Sequence, residues 1–138
     1  MKPERKFWLE VKKNTPEITW TRIENLALPG VPDLLGYNKH QHFFTVELKV
    51  TRSNKIRFSP HQIAFHVQHP KNTFILVKSL ATRDWKLYEG KDVSELAACS
   101  LGLGTLYKML NVLVMQGRNI YRKIIGHEFF SAGHRLHY

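Results

Sequence analysis

Two acidic residues and a lysine interrupt the apolar runs between residues 31 and 50, where their spacing could support chemistry. Asp33 precedes a gap of thirteen residues, after which Glu47 and Lys49 follow with one residue between them. If two strands join in a turn centred on residue 40, positions whose numbers sum to 80 lie opposite one another, and Asp33 faces Glu47. Facing carboxylates destabilise an antiparallel pair, and partial burial increases the cost, so a further group must offset it.

A divalent cation would offset this cost, because hard carboxylate oxygens suit Mg²⁺, for which Mn²⁺ can substitute. Mg²⁺ takes only one or two protein carboxylates and keeps positions for water and a phosphate. Lys49 shares a strand face with Glu47, where it could hold an activated water or neutralise charge on phosphorus oxygens. The three residues predict a site that cleaves phosphodiesters. The alternative is a lysine that pairs with one acid on a solvated sheet face.

The elements that must position these residues follow from hydrophobic periodicity and turn residues. Ser59 suits a helix N-cap, Pro60 suits the first helical position, and Pro70 bars extension of that helix beyond residue 69. The whole pattern favours an α/β fold with a mixed sheet flanked by helices. The predicted order is a helix over 3–13, a strand over 18–24, strands over 33–37 and 43–50 around a turn at 38–41, a helix over 60–69, strands over 72–78 and 83–89, and helical structure beyond 92.

A Pro-Asp pair at 32–33, followed after thirteen residues by Glu-Leu-Lys at 47–49, resembles the core signature of the PD-(D/E)XK nuclease superfamily. With Arg22 upstream and Ser-Pro-His-Gln at 59–62, the pattern is similar to the VRR-NUC branch and to archaeal-type Holliday junction resolvases, including phage-encoded ones. The resemblance covers residues 4–78. It implies a single domain over 1–138, with a restriction-endonuclease-like core over about 4–90 and a helical C-terminal extension over about 92–138.

The resemblance also implies roles for individual residues. Asp33 and Glu47 would bind the metal, aided by the backbone carbonyl of Leu48. Lys49 would be the catalytic lysine, and Gln62 would correspond to the helix residue that points into the site in this branch. These assignments make Mg²⁺ the expected cofactor, with Mn²⁺ as a substitute.

Gln62 and Glu4 each fit a second role that needs no active site. Gln62 also fits a capping box, in which its side chain returns to the Ser59 backbone. Many members use a glutamate from the first helix, and Glu4 is favoured because it continues the apolar stripe that faces the sheet. A solvated Glu4 that favours the helix dipole is the alternative. Glu10 lies round the helix, and Glu24, on or just after the first strand, is a third candidate.

The charge of the chain favours an anionic partner such as nucleic acid. Lys and Arg number 21 against 11 Asp and Glu, which gives a formal net charge of +10. Arg52, Lys55 and Arg57 directly follow the catalytic strand, in a loop where they would contact DNA phosphates beside the metal. Arg22 is a further candidate for such a contact.

These observations predict a Mg²⁺-dependent DNA endonuclease. A chain this short has little room for a domain that reads bases, so branched DNA such as a four-way junction is the favoured substrate. A flap, nicking or restriction-type nuclease stays open, as does a non-catalytic nucleic-acid-binding module. Junction-resolving relatives act as homodimers, and the apolar helix over 106–114 would form the dimer surface or pack inside the chain. Tyr37 or Phe58 would stack on a base or belong to the core.

Other classes of protein find less support in the sequence. The charged N-terminus is unlike a signal peptide and no apolar run reaches transmembrane length, so we expect a cytoplasmic protein, in the host if virus-encoded, without a membrane partner. The single Cys99 allows neither a disulfide framework nor a cysteine-rich zinc site. His40 with His42, and His66 with His69, lack a third zinc ligand of matching register, so solvated histidines are expected.

Overall fold

The chain is described by a computed structural model over residues 1–23, 28–53, 55–81, 83 and 85–98. Glu24, Cys99 and the predicted dimer helix lie outside these described residues. The helices and strands follow the predicted order, with boundaries within two residues of those predicted. They are α1 Pro3–Asn14, β1 Thr19–Arg22, β2 Leu34–Tyr37, β3 Phe43–Thr51, α2 Pro60–Gln68, β4 Thr73–Ser79, β5 Trp85–Glu89, a 3₁₀ turn Gly90–Asp92, and α3 Val93–Ala98.

The five strands form one mixed sheet in the order β1-β2-β3-β4-β5. All neighbours pair antiparallel except β3 and β4, which are parallel. A parallel pair needs a crossover connection, and the segment that carries α2 supplies it. This is the α/β arrangement of a mixed sheet flanked by helices that the sequence predicts, and the predicted fold class is confirmed. No helix within the described ranges has both the length and the apolar character needed to cross a bilayer.

The register of the β2–β3 hairpin is the predicted one. Leu34 pairs with Val46 and Tyr37 pairs with Phe43, so the residue numbers of each pair sum to 80. The same register carried one residue further places Asp33 opposite Glu47. A shift of one residue would have turned the two acids to opposite faces of the sheet.

The turn of this hairpin is held by one buried side chain. Asn38 is 3% exposed, and its Oδ1 accepts hydrogen bonds from the backbone N–H groups of His40 at 3.0 Å and His42 at 3.1 Å. Gln41 adopts a left-handed conformation with φ of 63°. Asparagine oxygens commonly organise turns in this way, and the result is a tip of defined shape.

Different helices cover the two faces of the sheet, which we call the first and second faces. α1 lies against the first face, where side chains at even positions of β3 enter the core. Gly36 of β2 also belongs here, since a Cβ at this position would overlap the Phe44 ring. The buried core of the first face consists of Phe7, Val11, Ile18, Leu34, Phe44, Val46, Leu48, Phe74, Leu76 and Leu87.

The second face is covered by α2 and α3 and has a smaller apolar core, formed by Ile56, Ile75, Val77, Tyr88, Val93 and Leu96. His66 of α2 is fully buried, so the prediction of a solvated histidine was wrong here. Ile63, three residues earlier, packs against this core and therefore places His66 on the helix side that faces the sheet. Burial lowers the pKa of His66 to about 4, and the charges of His69 and Lys49 act in the same direction.

Candidate active site

Glu47 is a buried carboxyl group at the centre of the second face. It is 3% exposed, and its Oε1 accepts a hydrogen bond from Gln62 Nε2 at 2.7 Å. Its Oε2 is buried and finds no hydrogen-bond donor among the described residues. Burial, followed by the charge of Asp33, raises the pKa of Glu47 to about 8, and a hydrogen bond shared with the Asp33 carboxyl contributes to this raised pKa. A carboxylate with one unsatisfied buried oxygen is costly for the fold, which makes this position a candidate for binding.

Asp33 lies immediately before β2 and turns its side chain to β3. Its Oδ2 accepts a hydrogen bond from the backbone N–H of Leu48 at 2.8 Å. Burial raises the pKa of Asp33 despite this hydrogen bond, and the positive charges of Lys49 and Arg22 oppose the rise. In a regular hairpin the Leu48 N–H would bond to a backbone carbonyl of the opposite strand. Here the Asp33 side chain accepts this hydrogen bond instead, which places the carboxylate beside Glu47.

The backbone of Leu48 faces the same place. In a regular strand the N–H and C=O of one residue point towards the same neighbouring strand. Because the Leu48 N–H points to Asp33, the Leu48 carbonyl also lies on the β2 side. Its side chain is buried in the core of the first face. The structure therefore brings Asp33, Glu47 and the Leu48 backbone together, as the sequence predicted for metal ligands.

Lys49 follows two residues after Glu47 on the same face, but the two do not form a tight ion pair. Its Nζ lies 4.0 Å from Glu47 Oε1 and donates a hydrogen bond to Gln62 Oε1 at 2.8 Å. The Nζ also lies 5.0 Å from the centroid of the Phe58 ring, a cation–π contact. The lysine is thus held by a neutral amide and an aromatic face, and its charge is available to a substrate.

Gln62 completes the capping box and also contacts both Lys49 and Glu47. The Ser59 Oγ accepts from the Gln62 backbone N–H at 3.1 Å, and Gln62 Oε1 accepts from the Ser59 backbone N–H at 3.0 Å, which completes a capping box. The same Oε1 accepts from Lys49, and Nε2 donates to Glu47. The cap fixes the orientation of the amide, so that one side chain links the lysine to the acid.

The two glutamates of α1 have different surroundings. Glu10 is bound by Lys78, whose Nζ lies 2.6 Å and 2.8 Å from the two carboxylate oxygens. Glu4 is exposed, and its negative charge contributes to the raised pKa of both Asp33 and Glu47. Of the two, Glu4 is the residue near the acidic pair.

A cleft of about 890 Å³ adjoins these residues, and we call it the basic cleft. Lys49 and Glu4 lie in its wall, so the cleft reaches the edge of the candidate active site. The sequence missed two of its residues, Lys2 and Arg5, although the charged run at the N-terminus was a signal for them. The basic side chains that line it are Lys2, Arg5, Arg22, Lys49, Arg52, Lys55 and Arg57, which include all four predicted nucleic-acid contacts.

The two aromatic residues considered as base contacts differ in their surroundings. Phe58 packs against the core of the second face and lies under Lys49, so its ring belongs to the site's support. Tyr37 pairs with Phe43 at the hairpin tip, with ring centroids 4.5 Å apart.

The donor set suits a hard divalent cation held by few protein ligands. Among the described residues, no three His, Cys, Asp or Glu side chains converge on one point. Mg²⁺ needs only one or two carboxylates because it keeps several waters. The carboxylates of Asp33 and Glu47 with the Leu48 carbonyl meet that requirement, and Glu47 Oε2 offers an oxygen to which no donor of the described ranges is bound.

Comparison with known proteins adds a likeness of structure. No family model matches the chain, and no curated protein sequence matches it. Among solved structures, the chain is similar to the Holliday junction resolvase Hjc from the archaeal hyperthermophile Archaeoglobus fulgidus. The TM-score is 0.49 and the sequence identity 16%, over 64% of this chain and 74% of that chain. A likeness at this level identifies no residue of the site, so the residue roles rest on the geometry described above.

Proposed function

We propose that this protein is a metal-dependent endonuclease that hydrolyses phosphodiester bonds in DNA. The observation that carries the proposal is the juxtaposition of Asp33 and a buried Glu47 with Lys49, which also lines the basic cleft. A structural ion pair would bring lysine and acid into contact. Here the lysine lies 4.0 Å from the acid and donates to Gln62, and one Glu47 oxygen has no donor in the part of the chain that the structure describes.

Asp33, Glu47 and the Leu48 carbonyl would hold Mg²⁺, or Mn²⁺ in its place. A bound divalent cation would supply a water of lowered pKa and neutralise charge on the scissile phosphate. Burial and the charge of Asp33 raise the pKa of Glu47 to about 8, so binding of a cation by this carboxyl would be accompanied by release of a proton.

The protein's own residues would position the phosphate and stabilise the charge that develops on it. Lys49 would donate to a phosphoryl oxygen, an interaction that strengthens as the oxygen becomes more negative. Gln62 would keep the ammonium group in place through its hydrogen bond to Nζ. Glu4, at the wall of the cleft, would accept a hydrogen bond from the attacking water.

The basic cleft fits a DNA backbone better than a sequence-specific contact. Its cations are Lys and Arg side chains on α1, β1 and the segment after β3, which suits phosphates at several positions along a strand. Recognition by backbone and shape favours a branched substrate, and we propose a four-way junction. Symmetric cutting of two strands in a junction would need two copies of the site, so we also propose a homodimer.

Cleavage of labelled four-way junction, flap and linear duplex DNA tests the activity directly. We expect cutting with Mg²⁺ or Mn²⁺ and none with EDTA, with the junction cut fastest. Glu47→Gln should abolish cutting, whereas the exposed Glu17→Gln serves as a matched control and should cut normally. If no substrate is cut with either metal, the protein is a nucleic-acid-binding module rather than a nuclease.

Salt dependence tests whether the cleft is the binding surface. The slope of log K against log salt should flatten by about one for each phosphate contact removed, as in Lys55→Ala. The matched control is Lys13→Ala, an exposed lysine that is not part of the cleft wall. Equal slopes in wild type and Lys55→Ala would place the DNA elsewhere.

A further inference from the structure

Phe43 presents its ring to solvent at the tip of the β2–β3 hairpin. Its relative exposure is 60%, and it is the only aromatic residue among the large apolar side chains found exposed in the described ranges. The ring contacts Tyr37 on the opposite strand at a tilt of 56° and a centroid separation of 4.5 Å. The two rings together form an aromatic surface that no described part of the chain covers in full.

This aromatic pair lies on the same sheet face as the candidate active site. Phe43 and Glu47 are four residues apart on β3, and Tyr37 and Asp33 are four residues apart on the partner strand, so each pair shares a face. A rise of about 3.3 Å per residue separates the two pairs by roughly 13 Å. That distance corresponds to about four nucleotides at a stacking rise of roughly 3.4 Å. A DNA strand with its phosphate at Glu47 can therefore place a nearby base on the rings.

The tip has the charge and rigidity that a nucleic-acid contact needs. No Asp or Glu occurs between residues 34 and 46, while Lys39, His40 and His42 are exposed around the turn. The Asn38 side chain fixes the turn through its two backbone hydrogen bonds. Aromatic rings beside cationic side chains are the usual surface for stacking single-stranded bases, because every base offers a π-face.

A cross-strand aromatic pair also stabilises a hairpin by itself. A smaller β-branched residue at position 43 would pair with Tyr37 and expose less apolar surface. A ligand is therefore indicated by the position of the rings and by the charge around them.

We infer that the Tyr37–Phe43 pair is a stacking platform for an unstacked nucleobase of the DNA strand that enters the candidate active site. The inference rests on the proposed function, since both concern the same strand. A branch point interrupts the continuous base stack, so taking a base out of the stack there costs less than in a continuous duplex. The platform would thus favour branched over linear DNA without reading sequence.

The test measures binding in EDTA, so that it does not depend on cleavage. A four-way junction carries a fluorescent adenine analogue, 2-aminopurine, at the branch point, and a linear duplex carries it in the middle. We expect Phe43→Ala to weaken junction binding roughly tenfold or more and to remove the stacking-dependent fluorescence change. Duplex binding should change less than about twofold. Phe43→Tyr should restore both signals.

Val67→Ala is the matched control, because Val67 is 57% exposed on α2 and is not part of the hairpin. Circular dichroism melting verifies that each variant folds, and light scattering gives its oligomeric state. Equal loss of junction and duplex binding in Phe43→Ala, or no loss, would overturn the platform. A change of oligomeric state in Phe43→Ala would also overturn it, because the ring would then cover a second copy of the chain.

The outcome separates this inference from the proposed function. Stacking signals without metal-dependent cutting would support the stacking platform and contradict the proposed nuclease activity. Cutting of junctions with unchanged Phe43→Ala binding would leave the nuclease and remove the platform. Absence of any DNA binding would remove both.

Discussion

The two faces of β3 differ in what they contribute to the protein. On the first face, Phe44, Val46 and Leu48 are all buried in an apolar core. The Phe44 ring meets Trp20 edge-on at 5.6 Å and Phe74 at 6.1 Å, a favourable geometry for aromatic packing. This face supplies stability through area buried and close packing.

The second face carries polar groups that are buried at a cost. Several buried polar atoms have no hydrogen-bond partner among the described residues, and they include Thr45 Oγ1, Glu47 Oε2 and both ring nitrogens of His66. Each such atom disfavours folding, because it loses water without gaining a partner. One strand thus separates its two tasks by the alternation of its side chains: the first face stabilises the fold, and the second face bears the cost of the site.

The largest expected effect concerns the first face. Phe44→Ala should lower the free energy of unfolding by about 3–5 kcal/mol, because it opens a cavity between rings that cannot fully close. Phe43→Ala, its exposed neighbour on the second face, should cost less than about 1 kcal/mol. Urea unfolding of the two variants measures the difference. Similar losses would show that the two faces of β3 do not divide stability and function.

Loss of the lysine should have the next largest effect, on rate rather than stability. Lys49→Ala should slow single-turnover cleavage by about 10²–10³-fold, since the charge on the phosphoryl oxygens loses its donor. The affinity for DNA in EDTA should change only a few-fold, and Lys13→Ala should match wild type. Near-normal turnover in Lys49→Ala would remove this residue from the mechanism.

Removing the charge of Glu47 should stabilise the metal-free protein at high pH. The folded state keeps this proton up to about pH 8, whereas the unfolded carboxyl loses it near its ordinary pKa of 4.5. Stability therefore falls as pH rises between those values. We expect Glu47→Gln to exceed wild type by about 1–3 kcal/mol at pH 9, with little difference at pH 4.5.

Urea unfolding at both pH values in EDTA measures this effect. The lowered pKa of His66 acts in the opposite direction, since stability falls as pH drops from about 6.5 towards 4. Wild type and Glu47→Gln both contain His66, so the difference between their free energies of unfolding reports the effect of residue 47. A constant difference across pH would show that the Glu47 proton is not lost in this range.

The smallest expected effect separates the two roles of Gln62. Ser59→Ala removes the hydrogen bond from the Gln62 backbone N–H to Ser59 Oγ and leaves the amide. Gln62→Ala keeps that bond but removes the bond from the Ser59 backbone N–H to the amide and both contacts to the site. Each variant should lose about 1 kcal/mol of stability. Only Gln62→Ala should also slow cleavage, by about tenfold, because Lys49 is no longer held. Equal rates in the two variants would reduce Gln62 to a structural cap.

Much of this arrangement follows from local sequence. The register of the hairpin was predictable because the turn residues and the alternation of β3 leave one pairing that buries Phe44 and Val46. The start of α2 was predictable because Ser59 and Pro60 are local signals. Asp33, Glu47 and Lys49 could therefore be brought to one face by counting residues.

Other features depended on residues distant in sequence. Glu4 and Glu10 have the same chemistry, and what distinguishes them is Lys78, which lies 68 residues after Glu10 and binds it. The burial of His66 depends on how α2 docks on the sheet. A local sequence pattern does not show which acidic side chain a distant lysine binds, or how deeply one side of a helix is buried.

The amino-acid sequence by itself determined the order of helices and strands along the chain, the hairpin register and the face that carries the acids, because side-chain alternation and turn chemistry act over a few residues. Only the tertiary structure decided that Gln62 joins its cap to Lys49 and Glu47, and that α1 and the segment after β3 share one basic cleft. The physical reason is that these contacts form between elements far apart in the chain. They arise only once the hydrophobic cores on both sheet faces have positioned those elements.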